Sequence, residues 1–586
     1  METKKLETAG PEKIRMNSWI EFLFISAAVI LVSFVVSFLR VRIDLTEDNR
    51  FTLSDPTKVI LSSLRNDVYI QVWLDGEMPV QFKKLKRSVK DMLDEFRVQS
   101  GRKLGYEFIN PSEGNDSRER NSRYESLISS GLVPVNIQAK DEEGGETQKI
   151  IFPGMTVNYN GVEIPVNFLR NNQSLSPEQN LLNSMEGMEY EIIQTISTIT
   201  SDSVYKIAFI EGHNEIPEIE TADITLSLAK YFTIDRGVIG GRPGILDKYA
   251  AVVIAGPESP FDEKDKLVID QYIMNGGKVL WLFEEVSVSE DSLAMGETVA
   301  IYKPLNIEDQ LFRYGVRVNP VLVQDLECML KPFNVISGGS RQQVVPVPWL
   351  YYPLLVPSSA HPVTRNLNRV LGRYVNYIDT VGRDPEINKS ILLTTSSAAR
   401  TINPPFLITL KEASDTPDEK QFTKSSLPVA VMLSGKFRSA FANRIVPGIT
   451  DNNSFRMKEI SENTRMIVIA DCDIVRNDVR RVGGEVTPLP LGQDRYTLQT
   501  FGNKDFLVNC LNSLVDNNGL LELRSRELKL RLLDRSVIKK YKVLIQVANI
   551  TLPVLLVFIA GFIYNILRKR MYAKQIHTPI NKIMEH

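Results

Sequence analysis

Only four histidines and three cysteines occur among the 586 residues, and one histidine stands where it could do chemistry. In Glu211-Gly212-His213-Asn214-Glu215 it lies two residues from a carboxylate on either side. Such a group could touch a ligand, serve as a base, or ligate a metal with the two acids. It also suits a polar turn, with Gly212 permitting the bend and Asn214 capping the next segment. Glu211, His213, Asn214 and Glu215 are therefore the candidate ligand-binding residues. None is assigned a catalytic or metal-binding role.

Other chemistries fit less well. A cysteine hydrolase needs a thiolate on a tight strand-to-helix turn with a base in reach. Cys328 lies in Leu326-Glu-Cys-Met-Leu330 without small neighbours, and Cys510 falls inside a predicted helix. Cys472 ends a strand, but Asp471 and Asp473 flank it and would raise its pKa. Three scattered cysteines offer neither a disulfide framework nor a metal spacing. His361 precedes Pro362 and suits a turn. No Gly-x-Ser-x-Gly elbow occurs. Gly435-Lys436 is followed by Phe437, with Ala430 where a phosphate loop needs its leading glycine, and Gly237–Gly244 lacks the dinucleotide spacing. No cofactor is expected, and any ATP hydrolysis belongs to another polypeptide.

The elements that position the histidine loop come from alternating short apolar runs and helical patterns. Ile207–Ile210, Ala251–Ala255 and Val279–Phe283 read as buried strands, with helices predicted at Ile219–Tyr231 and Lys264–Met274. This alternation predicts a doubly wound, parallel-type sheet over residues 204–518, resembling class I glutamine amidotransferase and flavodoxin-like folds. Later strands are expected at Val321–Gln324, Ile391–Thr395, Val429–Leu433 and Met466–Asp471. The proline-bearing Val344–Pro362 is expected to be an irregular excursion, and Lys504–Leu514 a closing helix. His213 then sits at the C-terminal end of the unit's first strand, the edge where such sheets hold ligands.

A second, mixed α/β unit is expected over residues 43–170. Its signals are an N-cap at Ser54, a helix at Gln81–Val98 and the hairpin turn Asn160-Gly161. The helix at Gln81–Val98 carries Lys83, Lys84, Lys86, Arg87 and Lys90, a pattern that suits a solvated face. Residues 178–200 read as one connecting helix. With a net charge of −2 and both signs interspersed, the chain has no nucleic-acid signature.

Val543–Leu567 is a run of uncharged residues closed by Arg568-Lys569-Arg570, long enough to span a membrane. Phe22–Leu39 is a second such run, so two transmembrane helices, at 18–39 and 543–567, are expected to bracket the body. Lys4, Lys5, Lys13 and Arg15 against Arg40 and Arg42 favour a cytoplasmic N-terminus (1–17) and a cytoplasmic tail (568–586). Residues 520–542 read as a basic amphipathic juxtamembrane helix. There Arg524, Arg531 and Arg535 would meet headgroups or a partner's acidic face. Gln546 and Asn549, polar within the span, are the candidate contacts to a partner helix.

Several stretches resemble the extracytoplasmic auxiliary subunits of ABC transporters, the gliding-motility-associated ones in particular. They are Asp44-Leu45-Thr46, Phe51-Thr-Leu-Ser-x-x-Thr57, Ile210-Glu-Gly-His-Asn-Glu215, Asp270-Gln-Tyr-Ile-Met-Asn-Gly-Gly277 and Ile469-Ala-Asp-Cys-Asp473. The resemblance implies a non-catalytic inner-membrane protein whose body faces the periplasm and binds a substrate, or an envelope protein or polymer. It implies a separate permease and a separate ATPase as partners, and a link to gliding and its associated secretion. The alternative is a membrane-anchored envelope hydrolase or amidotransferase-like enzyme using the His213 loop.

Overall fold

The computed structural model describes residues 52–520 except 115, 141–145, 170–175, 202–203, 337–341, 415, 443, 445, 447–455, 483, 495 and 517–518. It also describes Leu523, a helix from Arg535, and eight helical positions between Leu23 and Phe34. Most of Phe22–Leu39, the Asp44-Leu45-Thr46 start and the side chains of Arg524, Arg531 and Arg535 thus lie outside the described residues.

The first sheet has four strands. Helix α1 (Asp55–Ser62) starts at Ser54, whose hydroxyl accepts from the Thr57 N–H, with Pro56 in the first turn. Strand β1 (Val68–Val72) follows, then α2 (Val80–Gln99), which buries Leu85, Val89, Leu93 and Phe96. Strands β2 (Leu104–Phe108), β3 (Gly154–Tyr159) and β4 (Val162–Asn167) complete the order β2-β1-β3-β4. β1 is parallel to β2 and antiparallel to β3. The β3–β4 turn places Asn160 at φ 51° and Gly161 at φ 83°, both left-handed, as a two-residue hairpin turn requires.

Two helices, not one, connect this sheet to the next: α3 (Pro177–Glu186) and α4 (Met188–Thr200) break at Gly187. Glu189 on α4 reaches back to α1, accepting from the Ser54 N–H at 2.9 Å and the Thr57 hydroxyl at 2.8 Å. One hydrophobic core runs from β1 and α2 through Ile192, Ile193 and Ile196 of α4 into the second sheet, so the two sheets are packed as one body.

The second sheet opens with β5 (Lys206–Glu211), β6 (Thr233–Val238) and β7 (Ala251–Ala255). Helix α5 (Glu263–Met274) leads to β8 (Val279–Leu282). Strands β9 (Cys328–Ile336), β10 (Gln342–Pro357), β11 (Ile387–Thr394), β12 (Pro428–Gly435) and β13 (Thr464–Ile469) come next. Their order is β9-β10-β11-β12-β13-β8-β7-β5-β6. From β6 to β13 every neighbouring pair is parallel. Ile207 and Phe209 face one core and Ala208 and Ile210 the other, with α6 (Asn503–Val515) against the first and α5 against the second. That half meets the doubly wound expectation.

The other half corrects it, because β12, β11, β10 and β9 all pair antiparallel. Of the expected irregular excursion Val344–Pro362, residues 344–357 are strand, the greater part of β10, and only 358–362 are irregular. In its register Pro332 faces Pro346 and Leu330 faces Pro348. Two prolines can oppose each other only in a non-hydrogen-bonded pair, so their missing N–H groups point away from β9. On that side β10 has no ladder partner among the described residues before Leu354. The expected strand at Val321–Gln324 forms as Leu322–Asp325, but it pairs with Ala399–Ile402 outside the large sheet.

The described residues contain one helix long and apolar enough to cross a membrane. It is the Lys540–Arg570 part of α7 (Arg535–Ile576), with mean hydropathy 2.4, no burial, and Pro553 within it. Non-helical angles at Tyr541 (φ −111°, ψ 17°) kink α7 near the start of this segment. Residues 1–526 and 527–586 form two separate compact units.

Candidate functional site

In the parallel half, β6 lies on one side of β5 and β7 on the other. The strand order reverses there, and the crevice beyond the C-terminal ends of β5 and β7 is where an open α/β sheet takes a ligand. His213 lies in it, and its own loop closes it. The His213 carbonyl accepts N–H bonds from Glu258 and Ser259, both at 2.9 Å, and the Ile216 N–H donates to the Ala255 carbonyl at 3.0 Å. The imidazole stacks on Phe261, with centroids 3.7 Å apart and planes 19° apart. Both ring nitrogens are engaged: Nδ1 with Glu215 Oε1 at 3.2 Å and Nε2 with Asp265 Oδ2 at 3.3 Å.

Each acid is fixed in turn. Glu215 Oε2 accepts the His213 backbone N–H at 2.7 Å. Asp265, in the first turn of α5, accepts the Gly241 N–H at 2.6 Å, and its own N–H donates to the Asp262 carboxylate that caps the helix. Burial alone would push the His213 pKa down, but the two carboxylates outweigh it and hold the ring at about 9. Asp265 is correspondingly lowered by His213 and the Gly241 N–H, against the effect of its own burial. At neutral pH the ring is a charged clamp between two carboxylates, with no lone pair free to act as a base or to bind a metal.

The neighbouring candidates serve the same closure. Glu211 pairs with Arg236 of β6 at 3.2 Å. Gly212 has φ 118°, and a Cβ there would lie 3.0 Å from a Val238 methyl. Asn214 has φ 58° and donates to the Ser259 hydroxyl at 2.8 Å. So the structure brings Glu211, His213, Asn214 and Glu215 onto one strand end. The decisive partner, Asp265, comes from a helix 50 residues later.

A second charged constellation closes the ends of β8 and β13. Glu284 accepts from Lys303 at 2.9 Å and from the Cys472 N–H at 2.9 Å. Asp471 accepts the Arg373 and Asp473 N–H groups, at 2.9 and 2.8 Å. Arg373 pairs with Asp478 at 3.0 Å, and Arg476 with Asp473 at 3.1 Å and Glu220 at 3.4 Å. Its sequence signal is the acids directly after the apolar runs at Phe283 and Ala470, of which Asp471 and Asp473 read, on local grounds, only as surroundings for a thiol. Burial, then Glu284 and Asp473, raise the Cys472 pKa well above its ordinary value, in line with its flanking acids. Burial raises the Cys328 thiol to about 12 and lifts Cys510 well up. No cysteine is set up as a nucleophile. Among the described residues no group of three or more potential ligands could hold a metal. His361 accepts the Val363 N–H at 3.3 Å within its turn, and burial lowers its pKa.

Gln546 and Asn549 lie exposed on α7, and Arg535 begins that helix.

Fold and site together define a membrane-associated α/β protein whose strand-end crevice is closed by ion pairs. The chain belongs to the family described as an ABC-type uncharacterized transport system, which matches residues 205–510. It is thus an ABC transporter auxiliary protein. Residues 47–158 match a domain of unknown function (DUF7088), which contains the β1–β3 part of the first sheet. No curated protein matches the chain. Among solved structures, the mmIFT52 N-terminal domain is similar at 15% identity over 53% of this chain and 98% of that chain, with a TM-score of 0.30. A likeness that slight carries no argument.

Proposed function

We propose that the chain is a non-catalytic, membrane-anchored auxiliary subunit of an ABC transporter, resembling the gliding-motility-associated component GldG. In this reading residues 1–17 and 568–586 are cytoplasmic, 18–39 and 543–567 span the inner membrane, and the body lies on the periplasmic side. The body, made of the 43–170 unit, the 178–200 connection and the 204–518 unit, binds a substrate or an envelope protein or polymer. The basic 520–542 segment, with Arg524, Arg531 and Arg535, joins it to the membrane. A permease and a cytoplasmic ATPase are separate chains, and the output is gliding with its associated secretion.

The observation that carries this reading is the family match on a body joined to an unburied, 31-residue apolar helix. A bare helix of that kind is stable in lipid or against other apolar helices and not in water. The closed His213 crevice and the raised thiols favour an interaction module over an envelope hydrolase. The Lys4, Lys5, Lys13 and Arg15 bias sets the orientation. An impermeant maleimide applied to intact cells tests it. Cys472 and Cys510 are buried, so the label goes on a cysteine introduced at exposed Lys84. Labelling of Lys84→Cys without cell lysis is expected, and labelling only after lysis would place the body in the cytoplasm.

A further inference from the structure

Helix α4 carries an apolar face, Ile192, Ile193 and Ile196, in the shared core. Its opposite stripe, Gln194, Ser197, Thr198 and then Ser201, repeats at i, i+3, i+4 and i+7. A polar stripe of this sort normally faces open water. Here it faces a wall, formed by Tyr205 at the entry to β5, Phe232 after the Ala222–Leu228 helix, and Asn512 near the end of α6. Between them is a pocket of about 140 Å³. That is the scale of one small ring, well below the roughly 300–1,000 Å³ of drug-sized sites.

The lining is specific in kind. The side chains of Gln194, Ser197, Thr198 and Asn512 make no hydrogen bond among the described residues, so two carboxamides and two hydroxyls are left facing the pocket. Phe232 is 7% exposed and closes the back; Tyr205 is 44% exposed and stands at the mouth. Among the described residues no lysine or arginine lines it, and Asp516 is the charged one. Neutral donors and acceptors beside aromatic faces match a molecule with many hydroxyls and an apolar ring face. Lys278 and Arg465 interact with Asp516 without lining the pocket among the described residues, so an anion there would meet a carboxylate and no cation in contact. The pocket also lies where the connecting helix meets the second sheet, a junction at which small-molecule sites are common.

We propose that this pocket binds a neutral polyhydroxylated ring of monosaccharide size, held by Gln194, Ser197, Thr198 and Asn512 and stacked on the aromatic wall. The site is at the N-terminal edge of the parallel strands, away from the closed His213 crevice. It goes beyond the transporter assignment and stands or falls without it.

Saturation-transfer NMR tests it on the full-length protein in lipid nanodiscs, free of sugar detergents. The probes are methyl glucoside, galactoside, mannoside and N-acetylglucosaminide, with methyl glucuronide as the anionic counterpart. At least one neutral glycoside is expected to saturate with a Kd on the order of 1 mM, the range open to so small a ligand. Gln194→Leu with Asn512→Leu is expected to weaken it at least about tenfold, whereas Lys83→Ala on α2 leaves it unchanged. Thr198→Val, which keeps the side-chain shape, should give a smaller loss in the same direction. The proposal is overturned if no neutral glycoside saturates on the wild-type protein, if the double variant binds as well, or if the glucuronide binds more tightly than the glucoside. Co-purification with transporter subunits does not enter any of these readings.

Discussion

At the scale of residues, His213 carries the sharpest prediction. Its pKa of about 9 lies above the ordinary value of 6.5, so the folded state binds this proton more tightly than the unfolded state. The stabilisation is then complete below about pH 6.5 and is lost as pH rises through about 9. His213→Asn should lower stability by about 2 kcal/mol at pH 6.5, with most of that difference gone by pH 10. Urea unfolding of both proteins at the two pH values measures it, and a gap that stays constant would show that the charge is not what holds the loop. At equal protein levels, His213→Ala is expected to leave assembly and transport largely intact. The sequence marks His213 and Glu215 as neighbours but cannot show Asp265 or Phe261, because contact across two loops is set by the sheet. The Glu284–Asp473 constellation escapes for the same reason: Glu284 meets the Cys472 N–H across 188 residues of chain, and Arg373 meets Asp478 across 105.

At the scale of elements, the parallel half is legible because its strands are buried on both faces and read as short apolar runs between capped helices. The antiparallel half is not. β10 carries prolines at 346, 348, 353 and 357, which as a local signal argue against a strand, and only pairing with β9 reveals that two of them occupy positions needing no donor. The break at Gly187 is likewise hidden inside a continuous helical pattern. Two substitutions test the elements. Ser54→Ala removes the cap of α1 and should cost about 1 kcal/mol in a denaturant titration. Gly435, at the end of β12, has φ 142°, and a Cβ there would lie 1.9 Å from the Glu386 carbonyl oxygen. Gly435→Ala should therefore destabilise by at least about 2 kcal/mol and raise amide exchange along β11 and β12, whereas unchanged protection would place the strain elsewhere.

At the scale of the whole molecule, membership of an ABC-type transport-system family implies association with transporter components, and Lys540–Arg570 is long and apolar enough to cross a membrane. Gln546 and Asn549 are three residues apart on α7, hence on one face. In lipid such groups gain from a polar partner on a neighbouring helix. Replacing both with Leu should reduce recovery of the permease while leaving the protein in the membrane, and full recovery would make α7 an anchor only. The most direct test is reciprocal affinity purification of the full-length chain from its own membranes in a mild detergent, with quantitative mass spectrometry. The account predicts that one ABC permease and one ABC ATPase co-purify in fixed ratio, and that tagging either recovers this chain. A stable monomer, recovered with neither from either direction, would contradict it.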